Sequence, residues 1–359
     1  MIRQALVRVI QGENLSESDM QQTMGEIFDG HVSPSQAGAF VAALRVKGET
    51  VDEITGAARA LQSRAMHLDL PNPLLNIGRD DINVEGETIL ATSDTQQSGT
   101  STFNISTATI FVVAGAGIKV GRHGCRAAST FFGAADVLMN LGINLDISTS
   151  DVERCIQEVG IGFLFTPLSR GPMRHVAGIR EEIGIRTIFN LVGPLANPVQ
   201  ASAHVLGVYQ ASLTDKMAQV LQRLGSREAF VIHGEGTHDE ISICGPTHIA
   251  RLREGRVESW QIQPEDFGFE RARFSAIRGG SAADNARIIR AVLDGEPGPR
   301  RDIVLLNAAA ACVAAGQDDT LEDGIARARE SLDSGRALQK LEELVRFTAG
   351  CAPFVRKEL

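Results

Sequence analysis

The chain has 359 residues, 43% of them hydrophobic, and a formal net charge of −9 at pH 7. It is long enough for a large α/β domain with a smaller companion, while no apolar run is long enough to span a bilayer. The acidic balance disfavours nucleic acid as the main partner, and aromatics at 5% leave little surface for stacking bases.

The first 65 or so residues carry three start signals for helices: Ser16-x-x-Asp19, Ser33-Pro34-x-Gln36 and Thr50-x-x-Glu53. Each places a capping side chain ahead of an apolar-periodic run. Phe40, Val41 and Leu44 recur at helical spacing after the second signal, and the third opens a helix from 53 to about 65. A small all-helical domain over 1–68 is expected, with a contribution from about 165–190, followed by an α/β domain over 69–359. Residues 68–86 read as a loop, rich in Pro, Asn and Asp. Beyond it a strand is expected at 88–91, a helix at 108–114, a strand at 118–120 and a helix at 133–141 closed by Gly142. Strands follow at 229–232 and 240–243, then a hairpin of 247–253 and 256–261 around Glu254-Gly255. Ala-rich helices are expected at 282–293, 302–315, 320–334 and 336–348. The fold class is α/β: a central, mostly parallel sheet surrounded by helices, plus the helical N-terminal domain. The N-terminus lacks an uninterrupted apolar signal-peptide core, and Cys125, Cys155, Cys244, Cys312 and Cys351 are scattered without a C-x-x-C pair. A cytoplasmic protein without a disulfide framework or structural zinc is the expectation.

Three polar clusters interrupt this pattern. Asn104, Ser106 and Thr107 stand just ahead of an apolar helix, where free N–H groups favour an anion; plain capping by Ser106 or Thr107 is the simpler alternative. Arg122-His123-Gly124-Cys125-Arg126, with Ser129-Thr130 behind it, offers a second grip for phosphate. Two grips would suit a ligand with two phosphate groups. His123 also reads as a solvated or core-satisfied histidine. Asp239-Glu240, after a buried strand, are candidate Mg²⁺ ligands or an exposed acidic turn. His233 and His238 nearby are weak markers of a transition metal, lacking a spacing rule. Arg180 and Arg186 flank Glu181-Glu182 on an expected helix. There an arginine can hold a carboxylate bidentately or form an ordinary surface ion pair.

Further motifs run the length of the chain: LRVKGET (44–50), TFNIST (102–107), His123-Gly124 with Arg126, GAADVLMNLG (133–142), GIRTIFNLVGPLANP (184–198), HDEIS (238–242) and LLNAAAA (305–311). In this order they resemble the anthranilate phosphoribosyltransferase family, which has the nucleoside-phosphorylase-like (type III) phosphoribosyltransferase fold. The resemblance implies a glycosyltransferase of tryptophan biosynthesis. It would transfer phosphoribose from 5-phosphoribosyl 1-diphosphate to anthranilate or a related aromatic acid, without a covalent enzyme intermediate. It also implies Mg²⁺ as cofactor, a homodimer built through the helical domain and an active site in the cleft between domains. By position in the motifs, Thr102, Asn104, Ser106 and Thr107 are implied donor contacts. Arg122, His123, Gly124, Arg126, Ser129 and Thr130 are implied on the second side of the donor. Ser106, Asp239 and Glu240 are the implied metal ligands. Cys125, Arg170, Arg180 and Pro194 are implied around the acceptor.

One stretch departs from the family pattern. Where the family reads Gly-Thr-Gly-Gly-Asp, this chain reads Asp94-Thr95-Gln96-Gln97-Ser98, so Asp94, Gln97 and Ser98 take donor-loop positions without the glycines that let a backbone approach diphosphate. Arg122 replaces a Lys, Cys125 an Asn, Phe131 a Lys and Ala134 a Ser; Arg170-Gly171-Pro172-Met173 replaces His-Pro-Ala-Met. Residues 71–87 look like an insertion. These changes surround the donor pocket and motivate one alternative; a second, which the TFNIST and GPLANP matches disfavour, stands beside it. The first is a diverged paralogue acting on another acceptor, or as a ligand- or nucleic-acid-binding protein. The second is a nucleoside phosphorylase of the same fold.

Overall fold

The computed structural model describes residues 1–65, 89–94, 102–126, 133–167, 173–196 and 201–352, with the backbone alone at 89–94, 123–126 and 165–167. Four helices come first: α1 (Ile2–Ile10), α2 (Glu17–Phe28), α3 (Pro34–Lys47) and α4 (Val51–Gln62). The expected start signals are all used. Ser16 caps α2, and Ser33–Gln36 and Thr50–Glu53 form reciprocal capping boxes on α3 and α4. Glu53 does more than cap. Fully buried, it accepts the Leu15 N–H at 2.9 Å and the Thr50 N–H at 2.8 Å, and pairs with Lys47 Nζ at 2.9 Å. One carboxylate thereby joins the segments that lead into α2 and α4.

The second part alternates strands and helices: β1 (Ile89–Asp94), α5 (Ile105–Gly115), β2 (Lys119–Arg126), α6 (Ala134–Asn140), α7 (Thr149–Glu158) and β3 (Ile161–Pro167). Then come α8 (Ala177–Ile183), α9 (Ile188–Val192), β4 (Ala203–Gly207), α10 (Thr214–Arg223) and β5 (Glu228–Gly234). The hairpin β6 (Thr247–Arg253) and β7 (Arg256–Ile262) leads to α11 (Ala282–Leu293), α12 (Pro299–Ala314), α13 (Leu321–Asp333) and α14 (Arg336–Ala349). The sheet order is β3-β2-β1-β4-β5-β6-β7; β3 to β5 run parallel, and β6 and β7 are antiparallel. The hairpin turns at Glu254 (φ 51) and Gly255 (φ 72), the double positive φ that a two-residue loop uses to match strand twist.

Both sheet faces are covered. On β5, Phe230 and Ile232 join a core with α5 and α11–α14, while Ala229 and Val231 face the other way. That second face shares one core with α10 and the N-terminal helices, where Met20, Phe40 and Leu44 pack with Leu206 and Leu252. Helix α5 is buried around its whole circumference, as its nearly unbroken apolar sequence requires.

Two local expectations are corrected. The strand expected at 118–120 runs on through the basic cluster: β2 pairs with β3 from Val120 to Arg126, and β3 is not among the expected strands. Residues 240–243 form no strand. The Ile241 N–H and C=O are both taken by the Asn307 carboxamide at 2.9 Å, and Thr247 Oγ1 accepts the Ser242 N–H at 2.9 Å. Side chains there satisfy backbone groups that a neighbouring strand would otherwise need to meet.

Candidate functional site at the sheet switch point

From β1 the chain moves outward to β2 and β3, then returns to the opposite side of β1 for β4. Such a reversal leaves a crevice beyond the carboxyl ends of the two central strands, where open α/β sheets bind ligands. Asp94 and Gly207, the last residues of β1 and β4, are register partners there.

Gly207 is glycine for a steric reason. A Cβ on it would lie 1.9 Å from the Asp239 carbonyl oxygen and 2.6 Å from Asp239 Cβ. The turn after β5 thus folds back across the end of β4. It does so through His238, whose φ of 60 is rare for a side-chain-bearing residue, with Gly234 and His238 exchanging two backbone hydrogen bonds of 2.7 Å. Thr237 Oγ1 donates to the Glu240 carbonyl at 3.0 Å, and Asn307 grips Ile241 from α12. Side chains thus fix the Glu240 carbonyl and both backbone groups of Ile241, while the Asp239 carbonyl sits over Gly207.

The acidic pair meets the N-terminus of α5. Glu240 Oε1 accepts the Ser106 N–H at 3.1 Å, a contact between residues 134 apart. The expected capping by Ser106 or Thr107 does not occur. The N-cap is Asn104, left-handed at φ 64 and ψ 56, and its side chain makes no cap bond. Asn104 Oδ1 instead accepts from Asn285 Nδ2 at 2.9 Å, and Asn285 Oδ1 accepts the Gly280 N–H at 2.8 Å. Thr102 bridges Arg278, and a Cβ on Gly279 would come within 2.5 Å of the Thr102 carbonyl. Thr107 Oγ1 is buried with no hydrogen-bond partner among the described residues.

The site therefore joins a helix N-terminus to the Glu240 carboxylate, with Asp239 next to it in the chain, opposite charges for one ligand. The helix dipole suits an anion, although the Ser106 N–H is taken by Glu240 and the Thr107 N–H by the Asn104 carbonyl; Asp239, Glu240 and the hydroxyls of Ser106 and Thr107 are hard oxygen donors that suit Mg²⁺. Among the described residues no three His, Cys, Asp or Glu side chains gather into a metal site. A cation here would complete its coordination with ligand oxygens or water, as Mg²⁺ does on phosphates. His233 and His238 lie with ring centroids 5.6 Å apart, and His233 Nδ1 is 2.9 Å from the Val208 carbonyl. Burial, then His233 and Arg186, hold the His238 imidazole below its ordinary pKa. Among the described residues neither belongs to a larger cluster of metal-ligating side chains.

The other expected residues fall into two groups. Arg122 is buried within β2, opposite Phe163 of β3; His123, Gly124, Cys125 and Arg126 continue that strand, and Asp94 ends β1. Arg180 lies in the middle of α8 and Pro194 in the 3-10 turn Gly193–Leu195, on the segment packed against α3 and α4. There Gln62 Nε2 donates to the Leu195 carbonyl at 2.8 Å. Arg186, read as an alternative carboxylate holder, stacks on Tyr209 with its guanidinium 4.6 Å from the ring centroid. Gln97, Ser98, Ser129, Thr130 and Arg170, with the segment 71–87, lie outside the described residues. Sequence reading missed Gly207, Asn285 and Asn307. The usable signal was a polar Asn within the apolar stretch LLNAAAA; Asn285 lies between Asp284 and Arg287 in DNARII and carries no such mark.

Models of the glycosyl transferase family match the chain twice, the helical bundle domain over residues 3–65 and the a/b domain over residues 88–338. The anthranilate phosphoribosyltransferase of Syntrophotalea carbinolica is 52% identical over 97% of this chain and 99% of its own length. That of Geobacter sulfurreducens is 50% identical over 97% of this chain and 99% of its own. The crystal structure of the Thermus thermophilus anthranilate phosphoribosyltransferase superposes with a TM-score of 0.84 at 37% identity, covering 96% of this chain and 99% of that one. The Saccharomyces cerevisiae enzyme in complex with PRPP and Mg gives a TM-score of 0.82 at 27% identity, covering 97% and 98%.

Proposed function

The chain belongs to the anthranilate phosphoribosyltransferase family, and on that premise we propose that it transfers phosphoribose from 5-phosphoribosyl 1-diphosphate to the amine of anthranilate. The observation that carries this is the Glu240–Ser106 contact, which joins the acidic pair to the α5 N-terminus at the switch point. In the reaction the bond from ribose C1 to the diphosphate oxygen breaks, and its electron pair leaves with diphosphate. The anthranilate nitrogen forms the new bond to C1 and then loses a proton. Thr102, Asn104 and Thr107, at the positive end of the α5 dipole, bind the phosphorylated donor. Arg122, His123, Gly124 and Arg126 act from β2, with Ser129 and Thr130 beyond it, and Asp94, Gln97 and Ser98 act from the end of β1. Mg²⁺ held by Ser106, Asp239 and Glu240 would supply positive charge to the diphosphate oxygens. Arg180 orients the acceptor carboxylate, with Pro194, Cys125 and Arg170 around the ring. Holding donor and acceptor in line supplies much of the rate.

The same reading takes 1–68, with 165–190, as one domain and 69–359 as the other, in a cytoplasmic homodimer. The dimer is supported by apolar side chains left outside on the helical side: Val7, Ile10, Val46 and Ile185 are 54%, 68%, 89% and 56% exposed. A Val46→Asp variant should sediment as a monomer at concentrations where the unmodified protein is dimeric.

A second reading rests on Asp94-Thr95-Gln96-Gln97-Ser98, which place side chains and a carboxylate where the family has glycines. It is a paralogue with another acceptor, or a binding protein. Purified protein with Mg²⁺, 5-phosphoribosyl 1-diphosphate and anthranilate decides between them. Release of diphosphate coupled to loss of anthranilate fluorescence supports transfer to anthranilate. Donor binding without release across a panel of aromatic amines supports a binding protein.

A further inference from the structure

The bonds of Asn285 determine which end of the Asn104 carboxamide is left for a ligand. A backbone N–H can only donate, so the Asn285 atom 2.8 Å from the Gly280 nitrogen must be its oxygen. Its amide nitrogen then faces Asn104 at 2.9 Å, and the Asn104 atom that receives it must also be oxygen. Asn104 is left with Nδ2 as its outward group. Nothing weakens the first link: Asn285 is 4% exposed, and Gly279 lacks the Cβ that would come within 2.7 Å of Asn285 Oδ1. Asn104 itself is a left-handed N-cap whose side chain does not bond its own helix, so its orientation depends on Asn285.

We infer that Asn285 is a positioning residue that locks the Asn104 amide with its NH2 toward the pocket, so Asn104 donates a hydrogen bond to an oxygen of the phosphoribosyl donor and does not coordinate the metal. This deepens the proposed transferase reading and rests on it. An amide nitrogen with two protons cannot ligate Mg²⁺, so the metal falls to the oxygens of Ser106, Asp239 and Glu240. Asn104 instead discriminates for an acceptor atom, a ribose or phosphate oxygen.

The test replaces Asn285 by an isostere that can only accept. In Asn285→Asp the carboxylate still receives the Gly280 N–H, but its second oxygen turns the Asn104 amide around and presents Oδ1 to the donor. Calorimetry with 5-phosphoribosyl 1-diphosphate and Mg²⁺ should show Kd raised about 10- to 100-fold, with the KM for anthranilate and the fold, by circular dichroism, unchanged. The added charge is separated from the flip by a cycle. In an Asn104→Ala background, Asn285→Asp should cost nothing further in donor affinity. Asn104→Asp keeps the Asn285 bond and replaces the outward NH2 by a charged oxygen that can only accept, so it should lose at least a similar factor even if Asn285→Asp proves unstable. Unchanged affinity in Asn104→Asp overturns the inference, as do losses that add fully in the cycle. Failure of the unmodified protein to bind the donor removes the transferase reading itself, and the inference with it. Normal binding by the unmodified protein together with either overturning result removes the inference alone.

Discussion

Asn307 is the sharpest test of how the acidic pair is held. It is buried in α12 and makes three hydrogen bonds: it accepts the Ile241 N–H at 2.9 Å and donates to the carbonyls of Ile241 at 2.9 Å and Ile303 at 2.8 Å. Asn307→Leu keeps the volume and removes all three. The Ile303 carbonyl retains its intrahelical bond, but both polar groups of Ile241 are left buried. Each orphan costs about 1–3 kcal/mol, and the added apolar surface returns about 1 kcal/mol. The expected net loss is roughly 1–5 kcal/mol, up to a large part of a typical domain's stability. Urea denaturation measures it. Because Ile241 directly follows Glu240, the folded fraction should also bind 5-phosphoribosyl 1-diphosphate and Mg²⁺ more weakly. Asn307→Asp separates hydrogen bonding from shape, since it keeps the acceptor for Ile241 but sets a carboxylate against two carbonyls. Its deficit relative to the unmodified protein should shrink as pH falls, because the protonated acid regains one donor. If Asn307→Leu loses less than about 1 kcal/mol with an unchanged denaturant slope, the proposed anchoring of Asp239–Glu240 through Ile241 is wrong.

Glu53→Gln should cost about 3–5 kcal/mol, because it leaves the Lys47 ammonium, itself 7% exposed, beside a neutral partner in the bundle core; a thermal melt shifted by less than a few degrees would count against that. Gly207→Ala drives a methyl group into the Asp239 carbonyl, 1.9 Å away. It should destabilise by about 1–3 kcal/mol and weaken Mg²⁺-dependent donor binding at least tenfold, and calorimetry showing native affinity would refute the placement of Asp239. Burial, partly offset by a hydrogen bond with the Ala201 backbone, lowers the pKa of His204 to about 4. The unfolded chain takes up that proton near pH 6.5, so the stability His204 contributes is complete above about 6.5 and is lost as pH falls toward 4, at most ~3 kcal/mol. A His204→Gln variant should show a flatter acid limb of stability against pH, and an unaltered limb would reject the assignment.

What could be read from the sequence was what short-range chemistry determines. Ser16, Ser33 and Thr50 announce helix starts because the capping bonds lie within three residues, and the structure uses all three. Glu254-Gly255 announces its turn because only left-handed residues close a two-residue hairpin there. The clusters at 104–107 and 239–240 were visible as chemistry, yet their meeting was not, because it depends on strand order. Only the return of the chain from β3 to β4 places Gly207 under Asp239 and sets Glu240 on the Ser106 N–H. The failure at 240–243 has the same origin. Ile-Ser-Ile reads as strand by propensity, but Asn307, 66 residues away, takes both Ile241 backbone groups. A buried helical asparagine has more hydrogen-bonding capacity than its own helix uses: Asn307 gives one amide proton to the Ile303 carbonyl, and the rest of the carboxamide is left over. It must be spent on another segment, and in this chain both Asn285 and Asn307 spend it within the pocket that the switch point creates.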